Sequence, residues 1–199
     1  MGILPWSPDY AYLCGVGKRI IIRDAEARDV PFVAKCVLAA VDLYDFKEES
    51  IEKDIAERVC AREDTLYTYR HARIAEVDGE VAGCLVSYDG SAYAEARVIT
   101  FAMFAEAGRE IPETVIETGP GEWYLDSMAI APEFRCFGLG HVLMQDALSM
   151  ARERGIGKAA LLVECSKPAL RDYYARIGFE DERIVDAFGD KYIRMVKSL

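Results

Sequence analysis

The sequence predicts an α/β domain, in which strands of apolar residues alternate with amphipathic helices. Three observations support this prediction. Short apolar runs of strand length alternate with segments whose apolar residues recur at the spacing of a helix. Asp78-Gly79 joins two of the strand-length runs, as in a hairpin. A glycine-rich turn separates a strand at 123–130 from a helix at 142–151. A chain of 199 residues, 52% of them hydrophobic and 29% charged, is long enough for one well-packed domain and short for two.

The first half of the chain predicts an arm, a strand, two helices and a hairpin. Residues 1–17 are aromatic but irregular, so we expect an N-terminal arm that lies on the body or on a partner subunit. Asp29 precedes Pro31 and is placed to cap the first helix. The remaining predicted elements of this half are a strand at 19–23, a second helix at 50–61, and hairpin strands at 70–77 and 80–88.

The second half predicts a long helix and then a regular alternation of strands and helices. A helix at 91–108 is followed by a loop at 109–121 that carries two prolines. After the strand at 123–130 and the helix at 142–151, the predicted elements are a buried strand at 159–163, a helix at 168–177, and closing strands at 183–185 and 192–196.

The turn before the helix at 142–151 has the features of a phosphate-binding loop. Gly138 and Gly140 lack the Cβ atoms that would keep a ligand from the backbone, and the first helical amides point outward with the positive end of the helix dipole. Leu143 stands where a dinucleotide fingerprint needs its third glycine, and His141 stands where a P-loop needs lysine. The sequence therefore predicts a phosphate or pyrophosphate site that is neither of these loops.

This turn resembles the coenzyme A loop of the GNAT acetyltransferase superfamily. That loop has the pattern Arg/Gln-x-x-Gly-x-Gly/Ala and lies between a strand and a helix. Arg135, Gly138 and Gly140 match the pattern, and a hydrophobic strand and an Ala-Pro-Glu turn precede them. The chain is similar to the family at its cofactor-binding motif.

A second stretch resembles the same family. Tyr174 and Gly178-Phe179 match the helix that follows the family's next strand, although Lys167 stands where the family often has asparagine. The resemblance implies the GNAT fold, a central mixed β-sheet flanked by helices, as a single domain over residues 18–199. The stretch at about 91–119 is longer than the family's usual connection and is expected to be a helical insertion that covers the cleft, forms a dimer contact or pads the sheet.

The resemblance also implies that acetyl-CoA is the co-substrate and that no metal takes part. Arg135 would lead the pyrophosphate loop, backbone amides after it would bind phosphate oxygens, and an amide near the end of the strand at 123–130 would bind the thioester oxygen. The implied binding residues are Met128, Ala129, Ile130, Arg135, Cys136, Phe137, Gly138, Leu139, Gly140 and His141.

Acyl transfer to an amine needs a group that removes the proton of the ammonium and a donor for the departing thiolate. Side chains alternate along a strand, so Glu122 and Asp126 share one face and are the two candidate bases. Each is otherwise a structural hydrogen-bonding group or an exposed strand end. Tyr174 matches the family's general-acid tyrosine, and its alternative role is to pack the helix on the sheet.

Composition limits the partners that we expect. The formal charge is −10, which disfavours non-specific nucleic-acid binding and mildly favours an amine-bearing substrate. No apolar stretch approaches the length of a membrane span, and six scattered cysteines without a CxxC pair predict reduced thiols in a cytoplasmic protein.

The sequence therefore predicts direct N-acetyl transfer from acetyl-CoA to a small-molecule amine or a protein amino group. The alternatives are a non-catalytic module that binds acyl-CoA, and a structural protein whose glycine turn binds nothing. A homodimer is possible in each case. The connection between the first two helices often borders the acceptor site in this family, and the candidate substrate contacts there are Asp42, Tyr44, Asp45 and Phe46. Each of them is otherwise a solvated loop residue.

Overall fold

The computed structural model describes residues 11–13, 17–40, 52–109, 115–135 and 137–199. The strands within these ranges are β1 (Ala11–Leu13), β2 (Arg19–Asp24), β3 (Ala72–Val77), β4 (Glu80–Asp89), β5 (Trp123–Ile130), β6 (Lys158–Glu164), β7 (Glu180–Ala187) and β8 (Asp190–Ser198). The α-helices are α1 (Val30–Ala40), α2 (Lys53–Ala61), α3 (Tyr93–Glu106), α4 (Leu139–Glu153) and α5 (Pro168–Arg176).

The eight strands of the described residues form one mixed sheet in the order β1-β2-β3-β4-β5-β6-β8-β7. Antiparallel pairing joins β1 through β4 and also joins β8 to both β6 and β7, whereas β5 and β6 are parallel. The predicted hairpin at Asp78-Gly79 is present, with both residues at positive φ, as a tight two-residue turn requires. The predicted α/β class with a mixed sheet is confirmed.

The chain forms two compact units. The first comprises the described parts of Met1–Glu63, Tyr67–Val86 and Ser127–Ala147, and the second comprises Asp64–Leu66 with the described parts of Ser87–Asp126 and Leu148–Leu199.

The first unit is packed closely where α4 begins. A Cβ added to Gly83 of β4 would lie 2.4 Å from Cδ1 of Ile130, so a larger residue there would require the end of the Ile130 side chain to move. Leu143 and Ala147 of α4 are fully buried, as the apolar periodicity of the helix predicts. The buried guanidinium of Arg73 bonds the carboxylate of Asp146, with Nε 2.7 Å from Oδ2, so the charge that α4 brings into the interior is paired.

The second unit contains β6, β7, β8, α3 and α5. β8 pairs along its length with β6 on one side and with β7 on the other, which leaves β7 at the edge of the sheet. The first five residues of β7 are exposed, among them Ile184. The guanidinium carbon of Arg154 lies 4.8 Å from the ring centre of the buried Trp123, so the cation covers the indole face.

Two strands differ most from the sequence predictions. Residues 11–13 of the expected arm form β1, because three residues suffice to pair with β2 but are too few to show a period. β7 begins at Glu180 rather than at Arg183, since an exposed edge strand can begin with charged residues and so lacks the apolar alternation that marks a buried one. In the described part of the chain, no helix combines the length and the apolar character that crossing a bilayer requires.

Candidate active site

The glycine-rich turn lies in the first unit, directly before α4. The 3₁₀ turn Pro132–Phe134 ends β5, and Gly138 adopts φ +74°, a conformation that favours glycine. Among the described residues, no atom beyond its chain neighbours lies within 4 Å of a Cβ added at Gly138, so the backbone there is open to an approaching ligand. The exposed Arg135 donates from Nε to the carbonyl of Ile130 at 3.3 Å. An exposed cation beside an open helix N-terminus fits an anionic group such as a pyrophosphate.

The hydrogen bonds of the turn narrow the set of amides available to such a group. The amide of His141 donates to the carbonyl of Gly138 at 3.0 Å, and the amide of Arg135 donates to Pro132 at 3.3 Å. Leu139 and Gly140 are the first two helical residues, where no acceptor exists within the helix itself. The amides to test for phosphate binding are therefore those that lie after Arg135 and before His141. Cys136, which is also predicted to bind, lies outside the described residues.

β5 pairs in parallel with β6 at its start, where Trp123 joins Ala159 and Tyr124 joins Ala160. The strand continues to Ile130. Met128, Ala129 and Ile130, where the sequence predicts a contact with the thioester oxygen, form the end of the strand and are half-buried.

Glu122, the first candidate base, lies in a network of ion pairs within the second unit. Its Oε2 accepts from Nη2 of the buried Arg194 and from Thr118 at 3.1 Å, and its Oε1 lies 3.0 Å from Nζ of Lys158. Burial raises the pKa of Glu122, but the bonds from Arg194 and Lys158 outweigh it and hold this pKa below its ordinary value. Such a carboxylate takes up a proton poorly, and these contacts are those of a structural group. The same cations also pair with Glu182 of β7.

Asp126, the second candidate base, is half-buried on β5. The hydroxyl of Tyr88 on β4 donates to its Oδ2 at 2.6 Å. Burial, followed by the charge of Asp126, holds the pKa of Tyr88 well above its ordinary value, so this phenol keeps its proton and acts as a donor. Among the contacts described, Asp126 accepts a hydrogen bond from a neutral phenol, whereas Glu122 is bound by two cations.

The structure adds a third carboxylate that sequence reasoning missed. Glu117 is 8% exposed and accepts hydrogen bonds from two hydroxyls, from Tyr93 to Oε1 at 2.8 Å and from Tyr124 to Oε2 at 2.6 Å. Burial first, and then the nearby charge of Asp126, raise the pKa of Glu117 to about 7 despite these bonds. The rings of Tyr88 and Tyr124 lie 5.8 Å apart, so both carboxylates belong to one group of side chains. We call the five residues of this group the tyrosine–carboxylate cluster; they are Tyr88, Tyr93, Glu117, Tyr124 and Asp126.

Three contacts hold the segment at 115–122 over the cluster. The amide of Gly90 donates to the carbonyl of Glu122 at 2.9 Å, and Nε of Arg194 donates to the carbonyl of Glu117 at 3.2 Å. A Cβ at Gly90 would lie 2.4 Å from the carbonyl oxygen of Gly119, so the segment packs this closely only against glycine. An open pocket of about 400 Å³ borders the segment and is lined by Ile116, Glu117, Thr118, Gly119, Pro120, Glu122, Lys158, Glu182, Arg183 and Arg194.

Tyr174, the predicted general acid, lies on α5 in the second unit. Its ring packs against Phe179 at 6.1 Å and against Tyr173 at 5.4 Å between centroids. Burial raises the pKa of Tyr174 to about 12, which keeps its phenol protonated at neutral pH. The side chain thus packs as a core tyrosine does and also holds a proton that it could donate. The buried hydroxyl of Tyr173 has no hydrogen-bond partner among the described residues.

The predicted substrate contacts of the first helical connection, Asp42, Tyr44, Asp45 and Phe46, lie outside the described residues. Lys167, at the place where the similar family often has asparagine, precedes α5 and pairs with Glu164, with Nζ 3.3 Å from Oε2. The side chain of His141 is exposed at the start of α4.

Comparison with known proteins places this geometry in context. Residues 39–179 match the acetyltransferase (GNAT) family. A crystal structure described as an acetyltransferase is 29% identical, with a TM-score of 0.71 over 89% of this chain and 98% of that chain. An N-acetyltransferase from Staphylococcus aureus Mu50 is 22% identical, with a TM-score of 0.73 over 88% of this chain and 99% of that chain.

The PaiA N-acetyltransferase from Thermoplasma acidophilum, solved in complex with coenzyme A, is 15% identical, with a TM-score of 0.55 over 90% of this chain and 99% of that chain. A comparison with curated proteins gave no significant match. The family match spans the glycine-rich turn and Tyr174 and covers more than half of the chain. The protein therefore belongs to the GNAT acetyltransferase family and is an acyltransferase.

Proposed function

We propose that the protein moves an acetyl group from acetyl-CoA directly to a primary amine, on a small molecule or on a protein. The observation that carries this proposal is the open glycine-rich turn at the start of α4, in a chain that belongs to the acetyltransferase family. The coenzyme A complex of the Thermoplasma acidophilum relative supports the choice of cofactor.

Under this proposal the turn holds the pyrophosphate. The side chain of Arg135 supplies a positive charge, and the amides of Phe137, Gly138, Leu139 and Gly140 donate to phosphate oxygens with the favourable end of the α4 dipole. Cys136 and His141 are further predicted contacts. The bond from the His141 amide to the carbonyl of Gly138 leaves that amide less available to a phosphate.

The chemical step requires three contributions from the protein. A backbone amide of Met128 to Ile130 donates to the thioester oxygen as negative charge develops there. Asp126 takes the proton from the acceptor ammonium, so that the nitrogen gains a lone pair for attack. Tyr174 donates its phenolic proton to the departing sulfur, since its raised pKa keeps that proton in place at neutral pH.

A second candidate function is a module that binds acyl-CoA without transferring the acyl group. The packing of Tyr174 against Phe179 and Tyr173 favours it, because a purely structural tyrosine would have the same contacts. Such a protein would keep the glycine-rich turn and need no base.

Two measurements on the full chain separate these functions. Acetyl-CoA should raise the melting temperature in a concentration-dependent way, since it binds the folded state alone. Acetyl-CoA with a panel of polyamines, amino acids, aminoglycosides and peptides should then release free thiol faster than acetyl-CoA alone. Stabilisation without amine-dependent thiol release would favour the binding module, and the absence of both would contradict the proposal.

A further inference from the structure

The tyrosine–carboxylate cluster places two acids within one group of side chains on the second unit. Tyr88 donates to Asp126, and Tyr93 and Tyr124 donate to Glu117. The two acids differ in exposure, since Asp126 is half-buried and Glu117 is 8% exposed. Asp126 is therefore the more exposed of the two acids and is the one that we place against the substrate.

We propose that Glu117 and Asp126 work as one coupled pair, in which Asp126 accepts the proton of the acceptor ammonium and Glu117 sets how strongly the pair holds it. Glu117 is a positioning residue in this scheme, because it acts on the reaction through Asp126. The inference rests on the proposed transfer to an amine and extends it to the segment at 115–122, which carries Glu117.

The physical basis is the repulsion between two like charges in a buried setting. When both carboxylates are ionised, each opposes the charge of the other, so the pair takes up its first proton at a higher pH than an isolated carboxylate does. The tyrosine hydroxyls donate to the ionised carboxylates and limit this effect without removing it. An acceptor that titrates near neutral pH is well suited to general-base catalysis.

Other charged and titratable groups face Glu117 from the neighbouring elements. They are Tyr93 and Arg97 on α3, Tyr124 and Asp126 on β5, Tyr88 on β4 and Arg194 on β8. Of these, Asp126 is the group whose charge raises the pKa of Glu117, whereas the charge of Arg97 lowers it. Glu117 also lines the open pocket of about 400 Å³.

The protons balance over the whole reaction. The ammonium R–NH₃⁺ gives one proton to the ionised pair and becomes R–NH₂. The nitrogen then forms its bond to the acyl carbon, the carbon–sulfur bond breaks, and the nitrogen loses a second proton. Tyr174 gives its phenolic proton to the departing thiolate. The second proton from the nitrogen returns the phenolate of Tyr174 to its neutral form. The pair then releases the first proton to solvent, so the products are the amide, free thiol and one proton.

The test is the pH dependence of kcat/KM for the full chain with the best amine of the panel. In the wild type, activity should rise with pH through neutrality as the pair loses its last proton. Glu117→Gln leaves a single carboxylate, so this rise should move to lower pH by roughly one unit or more, with a lower maximal rate. Glu95→Gln makes the same chemical change on the exposed surface of α3 and should leave the profile in place.

A second readout does not depend on activity. Carbon-13 NMR of labelled glutamate carboxyls, with Glu117 identified by the signal lost in Glu117→Gln, should show one glutamate that titrates near neutral pH, and Asp126→Asn should move that titration to lower pH. An unchanged profile in a folded Glu117→Gln variant, or an ordinary titration of Glu117, would overturn the inference. If no amine is acylated while the titration is as expected, the failure lies with the proposed function and not with the coupling.

Discussion

Glu117→Gln should alter how the free energy of unfolding depends on pH. Glu117 has a folded-state pKa of about 7 and an ordinary value of 4.5, so the folded state binds the proton more tightly than the unfolded state does. The resulting stabilisation is full below the ordinary pKa and is lost as pH rises through the folded pKa. The shift corresponds to about 3 kcal/mol over the whole window, of which about 2 kcal/mol falls between about pH 5.5 and about pH 8.5.

Urea unfolding across that range measures the effect. Relative to the glutamine variant, which has no titrating group at this position, the wild type should lose about 2 kcal/mol as pH rises. Comparing the two proteins at each pH cancels the contributions of the groups that do not interact with Glu117. Glu95→Gln, whose side chain is exposed, should follow the wild type. Parallel curves for wild type and Glu117→Gln would refute the argument that burial and Asp126 disfavour the charge of Glu117.

Three further predictions concern the turn, the acid and the ion pairs. Arg135→Glu should weaken coenzyme A binding by calorimetry about tenfold or more, because it replaces a charge-assisted phosphate contact by repulsion, whereas the exposed Arg28→Glu should not. Tyr174→Phe should lower the single-turnover rate of thiol release about 100-fold with coenzyme A affinity unchanged, and full turnover with transfer rate-limiting would rule out its acid role. Arg194→Met should reduce the free energy of unfolding by about 3 kcal/mol, because Glu122 loses its buried partner, and adding Glu122→Gln should restore part of the loss. A double variant no more stable than the single one would contradict that pairing.

The sequence predicts the glycine-rich turn and its flanking elements well because the signals are local. The residues that end β5, form the turn and begin α4 follow one another directly in the chain. The conformation of each of these segments therefore depends mainly on residues close to it in the sequence. Strand alternation, together with nearness to the expected thioester, identifies Asp126 as a candidate base. Its partner Tyr88 is 38 residues away and could be assigned only once β4 and β5 were known to be neighbours.

Glu117 was missed for a related reason. It lies in a segment without periodicity, and both of its tyrosine donors lie on other elements, α3 and β5. The ion pairs of Glu122 depend on Arg194, which is 72 residues farther along the chain. The sequence nevertheless holds a weak signal for such a partner. Tyr124 and Asp126 are two residues apart on β5 and therefore share one face, and the hydroxyl of a buried tyrosine usually needs a hydrogen-bond partner.

The exposed outer strand of the sheet has a consequence for behaviour at high protein concentration. β7 begins with four consecutive charged residues, Glu180 to Arg183, on the side of the sheet where no further strand pairs among the described residues. A strand from another molecule that added to this border would have to desolvate those charges, so the border resists intermolecular strand addition and aggregation. Neutralising substitutions there should make the protein more prone to aggregate, even where they leave the acyltransferase reaction unchanged.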